Sequence, residues 1–417
     1  MPSLPGERAD VRLPASFPAS FLFGTATSAT QIEGHCTTSD WYAFAAQPGR
    51  VKEGGRPDVA CDSWHRWRED VALQVALGMN AYRMSIEWAR IEPAAGVIDH
   101  GALGEYRRML GALRDARIEP MVTLHHFTLP AWLAERGGVL SAAFTERLAR
   151  FARVAVGALG DLCRLWITVN EPNVLAAQSY LFGTWPPAKH NPALAIRAHG
   201  RLLRAHHAAY RALKEARPEA SVGVAHHLRV MAPERELLRD RLAALALRRA
   251  FNDPFAEAVC RAGTQDFFGI NYYSRDIVRF SPRSPAELFV HRGVPPASEV
   301  SDLGWEVYPE GLGQLVRTWA RRSKVPMYVT ENGIADARDT RRASFLTRHL
   351  AELARAIADG VDVRGYFHWS LLDNFEWADG YGPRFGLVSV DYATQQRRVR
   401  ESARVYARIA REKRLEG

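Results

Sequence analysis

Short apolar runs rich in β-branched residues alternate along the chain with longer segments whose apolar residues recur every three or four positions. The short runs predict strands and the longer segments predict amphipathic helices. This alternation is typical of parallel β/α units. Eight strands are predicted, at 21–27, 81–88, 120–126, 165–170, 221–226, 267–273, 327–330 and 363–370.

Helical spacing is clearest in three of the intervening segments. The apolar residues that carry it are Tyr106, Met109, Leu110 and Leu113, then Leu148, Phe151, Ala155 and Leu159, and last Leu346, Leu350, Leu353 and Ile357, before a helix stop at Gly360. Eight strands, each followed by a helical stretch, predict an α/β protein with a single (β/α)8 TIM barrel. We expect one domain over 1–417, with the barrel at about 18–411, because no linker divides the chain.

One segment stands out as a long loop. Residues 281–302 follow the sixth predicted strand and carry Pro282, Pro285, Pro295 and Pro296. Loops on that side of a barrel usually shape access to the substrate site.

Composition narrows the class of protein. With 47% hydrophobic and 24% charged residues, the 417-residue chain has the make-up of a well-cored globular protein. No apolar stretch is long enough to span a membrane, so no membrane association is expected. Residues 1–8 lack the pattern of a secretory signal. The four cysteines form no C-x-x-C pair, which favours reduced, mostly buried thiols in a cytoplasmic protein.

The net charge of +9 raises the alternative of a nucleic-acid-binding protein. Only five of the 55 basic residues are lysines, and the arginines are spread along predicted amphipathic helices. That distribution favours a solvated outer face over a stripe that follows phosphates. No nucleic-acid partner is therefore expected.

Two glutamates each close a predicted strand and precede chain-breaking residues. Glu171 stands before Pro172, and Glu331 stands before Asn332 and Gly333. The carboxyl ends of parallel barrel strands form the floor of the active site, so both carboxylates should meet there. A facing pair of carboxylates provides the catalytic groups for hydrolysis of a glycosidic bond.

Several motifs, in this order, resemble glycoside hydrolase family 1, the retaining β-glucosidase and β-galactosidase group. The resemblance covers residues from about 21 to 392. The motifs are Phe-Gly-Thr-Ala-Thr at 23–27, Gln-Ile-Glu-Gly at 31–34, Tyr-Arg-Met-Ser-Ile-Glu-Trp at 82–88, Thr-Val-Asn-Glu-Pro at 168–172, Gly-Ile-Asn-Tyr-Tyr at 269–273, Thr-Glu-Asn-Gly at 330–333 and His-Trp-Ser-Leu-Leu-Asp-Asn-Phe-Glu-Trp at 368–377.

The resemblance implies a role for each residue of the centre. Glu171 would be the acid/base and Glu331 the nucleophile. Low-dielectric surroundings and the charge of Glu331 should keep Glu171 protonated. Arg83 would hold Glu331 ionised, and Tyr273 would donate a hydrogen bond that orients it. Asn170 would bind the 2-hydroxyl of the sugar, a contact that strengthens in the transition state.

The remaining polar and aromatic positions match the family's glycone site, where Trp369 would be the stacking floor and Asn271 would support the region around Asn170. The other implied substrate-binding residues are Gln31, His126, Glu376, Trp377 and Phe385. Neither a cofactor nor a metal ion is implied. The histidine pairs His206-His207 and His226-His227 are adjacent and lack the i, i+4 spacing of helical zinc ligands.

The chain departs from the family pattern at Phe127, where members commonly have a tryptophan. The indole N–H of that tryptophan binds the 3-hydroxyl of the glycone, and a phenylalanine cannot, so a relaxed or different glycone preference is open. Glu376 is intact and 378–386 contain no lysine. An unphosphorylated sugar is therefore favoured, because a carboxylate repels a 6-phosphate.

These observations predict a cytoplasmic retaining β-glycosidase that acts on terminal β-linked sugars, foremost a β-glucosidase, with β-galactosidase and β-fucosidase activity also open. A transglycosylating enzyme and a catalytically silent carbohydrate-binding barrel remain alternatives. Trp185, Trp305 and one of His226 or His227 are candidates for the aglycone wall. Glycone, aglycone and linkage preference and the oligomeric state stay open.

Overall fold

The computed structural model describes residues 16–284 and 289–415. Thirteen strands occur in these ranges: β1 Leu22–Ala26, β2 Ala81–Ser85, β3 Glu119–His125, β4 Leu165–Asn170, β5 Ser221–His227, β6 Val230–Pro233, β7 Phe267–Tyr272, β8 Arg275–Phe280, β9 Val290–Gly293, β10 Met327–Asn332, β11 Val363–Trp369, β12 Val388–Asp391 and β13 Gln396–Val399.

Eight of these strands close into a barrel in which every neighbouring pair is parallel. The order around the barrel is β1, β2, β3, β4, β5, β7, β10 and β11, which pairs with β1. All eight strands predicted from the sequence are present, and the (β/α)8 prediction is confirmed. The ends of the predicted domain at 1–15 and 416–417, including residues 1–8, for which no secretory signal is expected, lie outside the described residues.

Fourteen α-helices occur in the described ranges. They are α1 Ala29–Ile32, α2 Asp40–Ala45, α3 Ser63–Ala76, α4 Trp88–Ile91, α5 His100–Asp115, α6 Ala131–Ala134, α7 Phe144–Leu159, α8 Pro172–Ala176, α9 Pro192–Ala216, α10 Leu238–Phe251, α11 Asp253–Ala262, α12 Pro309–Ser323, α13 Arg342–Ala358 and α14 Glu401–Glu412. The three segments with the clearest helical spacing became α5, α7 and α13, and their apolar faces are buried. No helix among the described residues is long and apolar enough to cross a membrane.

Two strand ends differ from the prediction by two residues or more, and the other ends agree within one residue. The second strand stops at Ser85 rather than at 88, because the Glu87 carboxylate accepts a hydrogen bond from the Ala89 amide and begins α4. The strand predicted to end at 330 continues to Asn332, and its pairing with β7 shifts register between Val329 and Glu331. Glu331 therefore lies within the strand pairing, whereas Glu171 follows the end of β4.

The segment 281–302 is only partly a loop, so this prediction was wrong in part. Its residues Val290–Gly293 form β9, which pairs antiparallel with β8. Together with β6 these strands make a small sheet, and Ala243 and Ala244 of α10 pack on it in one buried cluster with Val278 of β8. Pro285 lies outside the described residues.

The interior of the barrel has two layers of different chemistry. Its lower part is filled by apolar side chains that belong to one buried cluster, among them Met121, Ile167, Phe267 and Phe367. Buried polar side chains occupy the level above, at the carboxyl ends of the strands. The site therefore sits on a closed apolar plug, which fixes the polar layer from below.

Gly333 directly follows β10, and a substitution there can test how tightly the level of the polar side chains is packed. A Cβ at this position would overlap the carbonyl oxygen of Trp369. We expect Gly333→Ala to lower the free energy of unfolding by about 1–3 kcal/mol or more, because the two backbones must move apart. Gly157→Ala is the matched control, since nothing lies within 4 Å of its Cβ in α7. It should be neutral or stabilising by about 0.5–1 kcal/mol. Urea unfolding of both variants measures the difference, and equal stabilities would contradict the packing argument.

Candidate active site

A cavity of about 540 Å³ opens above the carboxyl ends of the barrel strands. Nine of the twelve site residues predicted from the sequence line it: Gln31, His126, Glu171, Tyr273, Glu331, Trp369, Glu376, Trp377 and Phe385. The other three, Arg83, Asn170 and Asn271, are fully buried behind this wall and contact its carboxylates or their neighbours. The structure thus brings the whole predicted set together.

Glu331 is held by donors on both of its oxygens. Arg83 Nη1 lies 2.5 Å from Oε1, and the Tyr273 hydroxyl donates to Oε2 at 2.6 Å. Arg83 itself is completely buried and also donates to the backbone oxygen of Thr330 at 3.0 Å. Two donors on a buried carboxylate favour its charged form and fix its orientation.

Glu171 takes its hydrogen bonds on one oxygen. Asn271 Nδ2 donates to Oε1 at 2.8 Å, and His227 Nδ1 lies 3.0 Å from the same atom. Within the described residues both side-chain hydrogen bonds to Glu171 end on Oε1. Oε2 is therefore the oxygen left for a group in the cavity.

A hydrogen-bonded frame connects the two carboxylates through the barrel interior. Arg83 Nη2 donates to Asn170 Oδ1 at 2.6 Å, and Asn271 Nδ2 is 3.1 Å from the same oxygen. The Thr330 hydroxyl, next to Glu331, donates to Asn271 Oδ1 at 2.7 Å. Each side chain is fixed by two neighbours, so the positions of the carboxylates are set before any ligand binds.

The two carboxylates titrate as a pair because each faces the charge of the other. Burial raises the pKa of Glu331 to about 7, with Arg83 and Tyr273 opposing and the charge of Glu171 adding to the rise. Burial also raises the pKa of Glu171, but a cationic His227 and the hydrogen bonds from His227 and Asn271 outweigh it and lower the pKa below its ordinary value. A charge on His227 therefore favours the ionised form of Glu171.

The predicted glycone residues form the deepest wall. The Trp369 indole donates to Glu376 Oε1 at 3.2 Å, and the His126 ring is stacked between Trp369 and Trp377 at centroid distances of 5.9 and 6.2 Å. Burial and the charge of Arg83 hold the pKa of His126 well below its ordinary value, so its imidazole is neutral. A neutral imidazole can both donate and accept, which suits a sugar hydroxyl.

The match to known proteins agrees with this geometry. The model of glycosyl hydrolase family 1 covers residues 13–265 and 257–415. The chain belongs to this family. It is 36% identical to beta-glucosidase A of Thermotoga maritima over 96% of this chain and 99% of that protein, and 34% identical to a beta-glucosidase of Agrobacterium sp. over 95% and 96%. The solved beta-glycosidase of Pyrococcus horikoshii has 38% identity and a TM-score of 0.91, with 97% of each chain covered. The protein is a retaining glycoside hydrolase.

The outer wall of this family 1 cavity is mostly apolar. Trp185 and Trp305, both candidates for the aglycone wall, line it, and Phe127 packs on Trp185 at 4.8 Å and on Trp377 at 5.3 Å. Further wall residues were missed from the sequence: Val174, Phe182, Met231, Leu247, Phe251 and the Arg229–Asp276 ion pair. They come from helices and small strands above the barrel, which carry no motif.

Of the two adjacent histidines on β5, only one faces the cavity. His227 lines it and touches Glu171, whereas His226 points to the opposite face and stacks on Phe268 at 4.4 Å. Successive strand residues point to opposite faces, and this alternation was the available signal. The contact between His227 and Glu171 was not anticipated.

One cluster among the described residues has the composition of a metal site. His35 Nε2 and His65 Nδ1 lie 2.8 and 2.7 Å from the same oxygen, Asp62 Oδ1. The two histidines and the aspartate thus serve as hydrogen-bond partners for one another. The cluster does not line the cavity, so we assign it no part in the site.

Glu376 gives a test of the electrostatics of this site. Burial, with the charges of Glu331, Asp379 and Glu171 adding to it, raises the pKa of Glu376 from 4.5 to about 8. The folded protein thus holds a proton that the unfolded chain releases, so this contribution to the free energy of unfolding falls as pH rises from about 4.5 through 8. Glu376→Gln should reduce the loss of stability between pH 5 and pH 8 by on the order of 1–3 kcal/mol.

Urea unfolding at the two pH values measures this difference. The exposed Glu401→Gln is the control for removing a carboxylate elsewhere, and it should leave the pH dependence of wild type unchanged. A wild-type pH dependence in Glu376→Gln would show that Glu376 is ionised in the folded protein at neutral pH.

Proposed function

We propose that the protein is a β-glucosidase that removes terminal β-linked sugars by double displacement, with Glu331 as nucleophile and Glu171 as acid/base. The observation that carries this proposal is the unequal setting of the two carboxylates. Glu331 is fixed through both oxygens by Arg83 and Tyr273, while Glu171 presents a free Oε2 to the cavity. Curated relatives at 32–36% identity bear the name beta-glucosidase.

In the first step Glu331 attacks the anomeric carbon and the bond to the leaving oxygen breaks. Glu171 passes its proton to that oxygen, so the aglycone departs as an alcohol. The reactive form of the empty site therefore has the shared proton on Glu171 and the charge on Glu331. Once Glu331 is esterified its charge is gone, and the pKa of Glu171 falls because the neighbouring anion no longer opposes ionisation.

In the second step a water molecule attacks the glycosyl ester. Glu171, now ionised, accepts a proton from that water, and Glu331 leaves as the carboxylate that Arg83 and Tyr273 stabilise. Asn170 lies between Arg83 and His126 and is placed to bind the 2-hydroxyl during both steps. The sugar keeps its anomeric configuration after two inversions.

Glycone recognition follows from the inner wall. Trp369 provides an aromatic face, while Glu376, His126 and Gln31 provide polar atoms. The Gln31 amide is also tied to the protein, with Nε2 2.8 Å from Asn374 Oδ1 and Oε1 accepting from Ser28 at 2.7 Å. The structures of the Thermotoga maritima beta-glucosidase include complexes with glucoimidazole and with galacto-hydroximolactam, which supports gluco- and galacto-type sugars here.

We place the enzyme in the cytoplasm, since all four cysteines are free thiols.

The assignment of the carboxylates is tested by two variants. Glu331→Gly should lose essentially all hydrolysis of an aryl β-glucoside. Glu171→Ala should retain attack by Glu331 on substrates with good leaving groups, and azide should then restore turnover and yield a β-glycosyl azide. Absorbance of the released phenol and NMR of the sugar product measure both. Full activity in either variant would refute the roles, and an inactive wild type on a panel of aryl glycosides would instead favour a silent carbohydrate-binding barrel.

The side chain of Phe127 allows a prediction about how the glycone is recognised. Its ring fills the space between Trp185 and Trp377 but has no N–H for the 3-hydroxyl of the sugar. We expect an aryl 3-deoxy-β-glucoside to lose little kcat/KM relative to the aryl β-glucoside in wild type, because the protein offers no indole N–H to the 3-hydroxyl. Phe127→Trp should raise kcat/KM for the glucoside about 5- to 20-fold, the gain from one hydrogen bond to an uncharged group. Phe127→Leu serves as control for packing changes, and an equal effect of both variants would contradict this reading.

A further inference from the structure

One polar side chain of the site, that of His227, has no role in the mechanism described above. His227 ends β5 and contacts Glu171, and it is the only histidine within hydrogen-bond distance of either catalytic carboxylate in the described part of the chain. Its backbone oxygen accepts a hydrogen bond from Asn173 Nδ2 at 2.9 Å, and its ring is stacked on Tyr273 at 5.9 Å with an interplanar angle of 19°. These contacts fix the ring, so its Nδ1 stays directed at Glu171.

The contact restricts where Glu171 can carry its proton. Asn271 Nδ2 can only donate, so Oε1 already acts as an acceptor. If His227 Nδ1 bears hydrogen, it donates to Oε1 as well, and the proton of Glu171 must sit on Oε2, facing the cavity. That arrangement is the one the first catalytic step requires.

The charge of the histidine matters as much as its hydrogen bond. A histidine is the side chain whose charge changes between pH 5 and 8. A cation 3.0 Å from Glu171 Oε1 stabilises the ionised form of Glu171 and drives the shared proton to Glu331, which silences both the acid and the nucleophile. A neutral ring with its hydrogen on Nδ1 keeps the hydrogen bond and removes that effect.

We propose that His227 is a positioning residue for Glu171: its Nδ1–H orients the carboxyl group, and its charge decides which of the two carboxylates carries their shared proton. This inference rests on the proposed roles of Glu171 and Glu331. Its consequence is that an uncharged donor at this position keeps the enzyme active at lower pH than histidine does.

Other groups also face His227 and contribute to its surroundings. Phe251 of α10 meets the ring edge-on at 5.9 Å, and Glu331 with Arg83 lies behind Tyr273. The Arg229–Asp276 ion pair, at 2.9 Å, lies on the wall of the same cavity. The variants below leave all of these groups in place, so a change in the pH profile reports on His227.

Two substitutions separate charge from hydrogen bonding. Asparagine places its side-chain N–H close to the position of the histidine Nδ1–H but is never charged. His227→Asn should therefore move the acidic limb of kcat/KM to lower pH by about one unit and leave the alkaline limb in place. His227→Phe removes the donor too, so the alkaline limb, which reports loss of the Glu171 proton, should also move up by about one unit.

The matched control lies one residue away. His226→Asn changes a buried histidine on the same strand that faces away from the cavity. It should lower thermal stability without moving either limb. If His227→Asn reproduces the wild-type pH profile, or changes kcat equally at every pH as His226→Asn does, His227 has a structural role only and the proposal fails.

A readout without turnover keeps this test separate from the proposed function. In protein with ¹³C-labelled glutamate carboxyl groups, NMR titration follows Glu171 directly, with Glu171→Gln identifying its signal. We expect the pKa of Glu171 to be higher in His227→Phe than in wild type. An unchanged value would overturn the inference, whereas an inactive wild type with the expected titration would overturn only the assignment of function.

Discussion

The buried guanidinium of Arg83 is the interaction on which the site depends. From β2 it contacts β3 at Thr123, β4 at Asn170 and β10 at Thr330 and Glu331, so one side chain ties four strands together across the barrel. A fully buried cation is stable only when its charge and its donors are matched. Glu331 supplies the charge, and the amide, hydroxyl and carbonyl oxygens of Asn170, Thr123 and Thr330 supply the remaining acceptors. The positions of the catalytic groups follow from satisfying this one cation.

Much of this arrangement could be predicted because short local patterns in the sequence specify it. Each barrel strand is an apolar run with a polar residue at its end, and the topology of a parallel barrel then gathers those ends. Glu171 after β4 and Glu331 in β10 could be placed together for that reason, and Arg83 and Tyr273 could be added through the family motifs. The helix spacings in α5, α7 and α13 predicted real helices because their buried faces are long and regular.

What could not be predicted depends on contacts between segments distant in sequence. The contact between His227 and Glu171 is one example, because the position of His227 on β5 belongs to no motif and gives no sign that it will touch Glu171. Strand β9 was not predicted because its proline-rich segment has a weak strand pattern. Among the described residues it is held in the sheet by its pairing with β8. The apolar outer wall is assembled from α8, α10 and short turns, each of which is ordinary by itself.

The apolar plug beneath the polar layer has a consequence for how a sugar chain can be processed. Met121, Ile167, Phe267 and Phe367 close the barrel below the carboxylates, so the pocket is a blind end. No part of a sugar chain can pass through the barrel below Glu331. The filled barrel core therefore leaves the mouth of the cavity as the way out, and a released sugar must leave through the opening by which the substrate came.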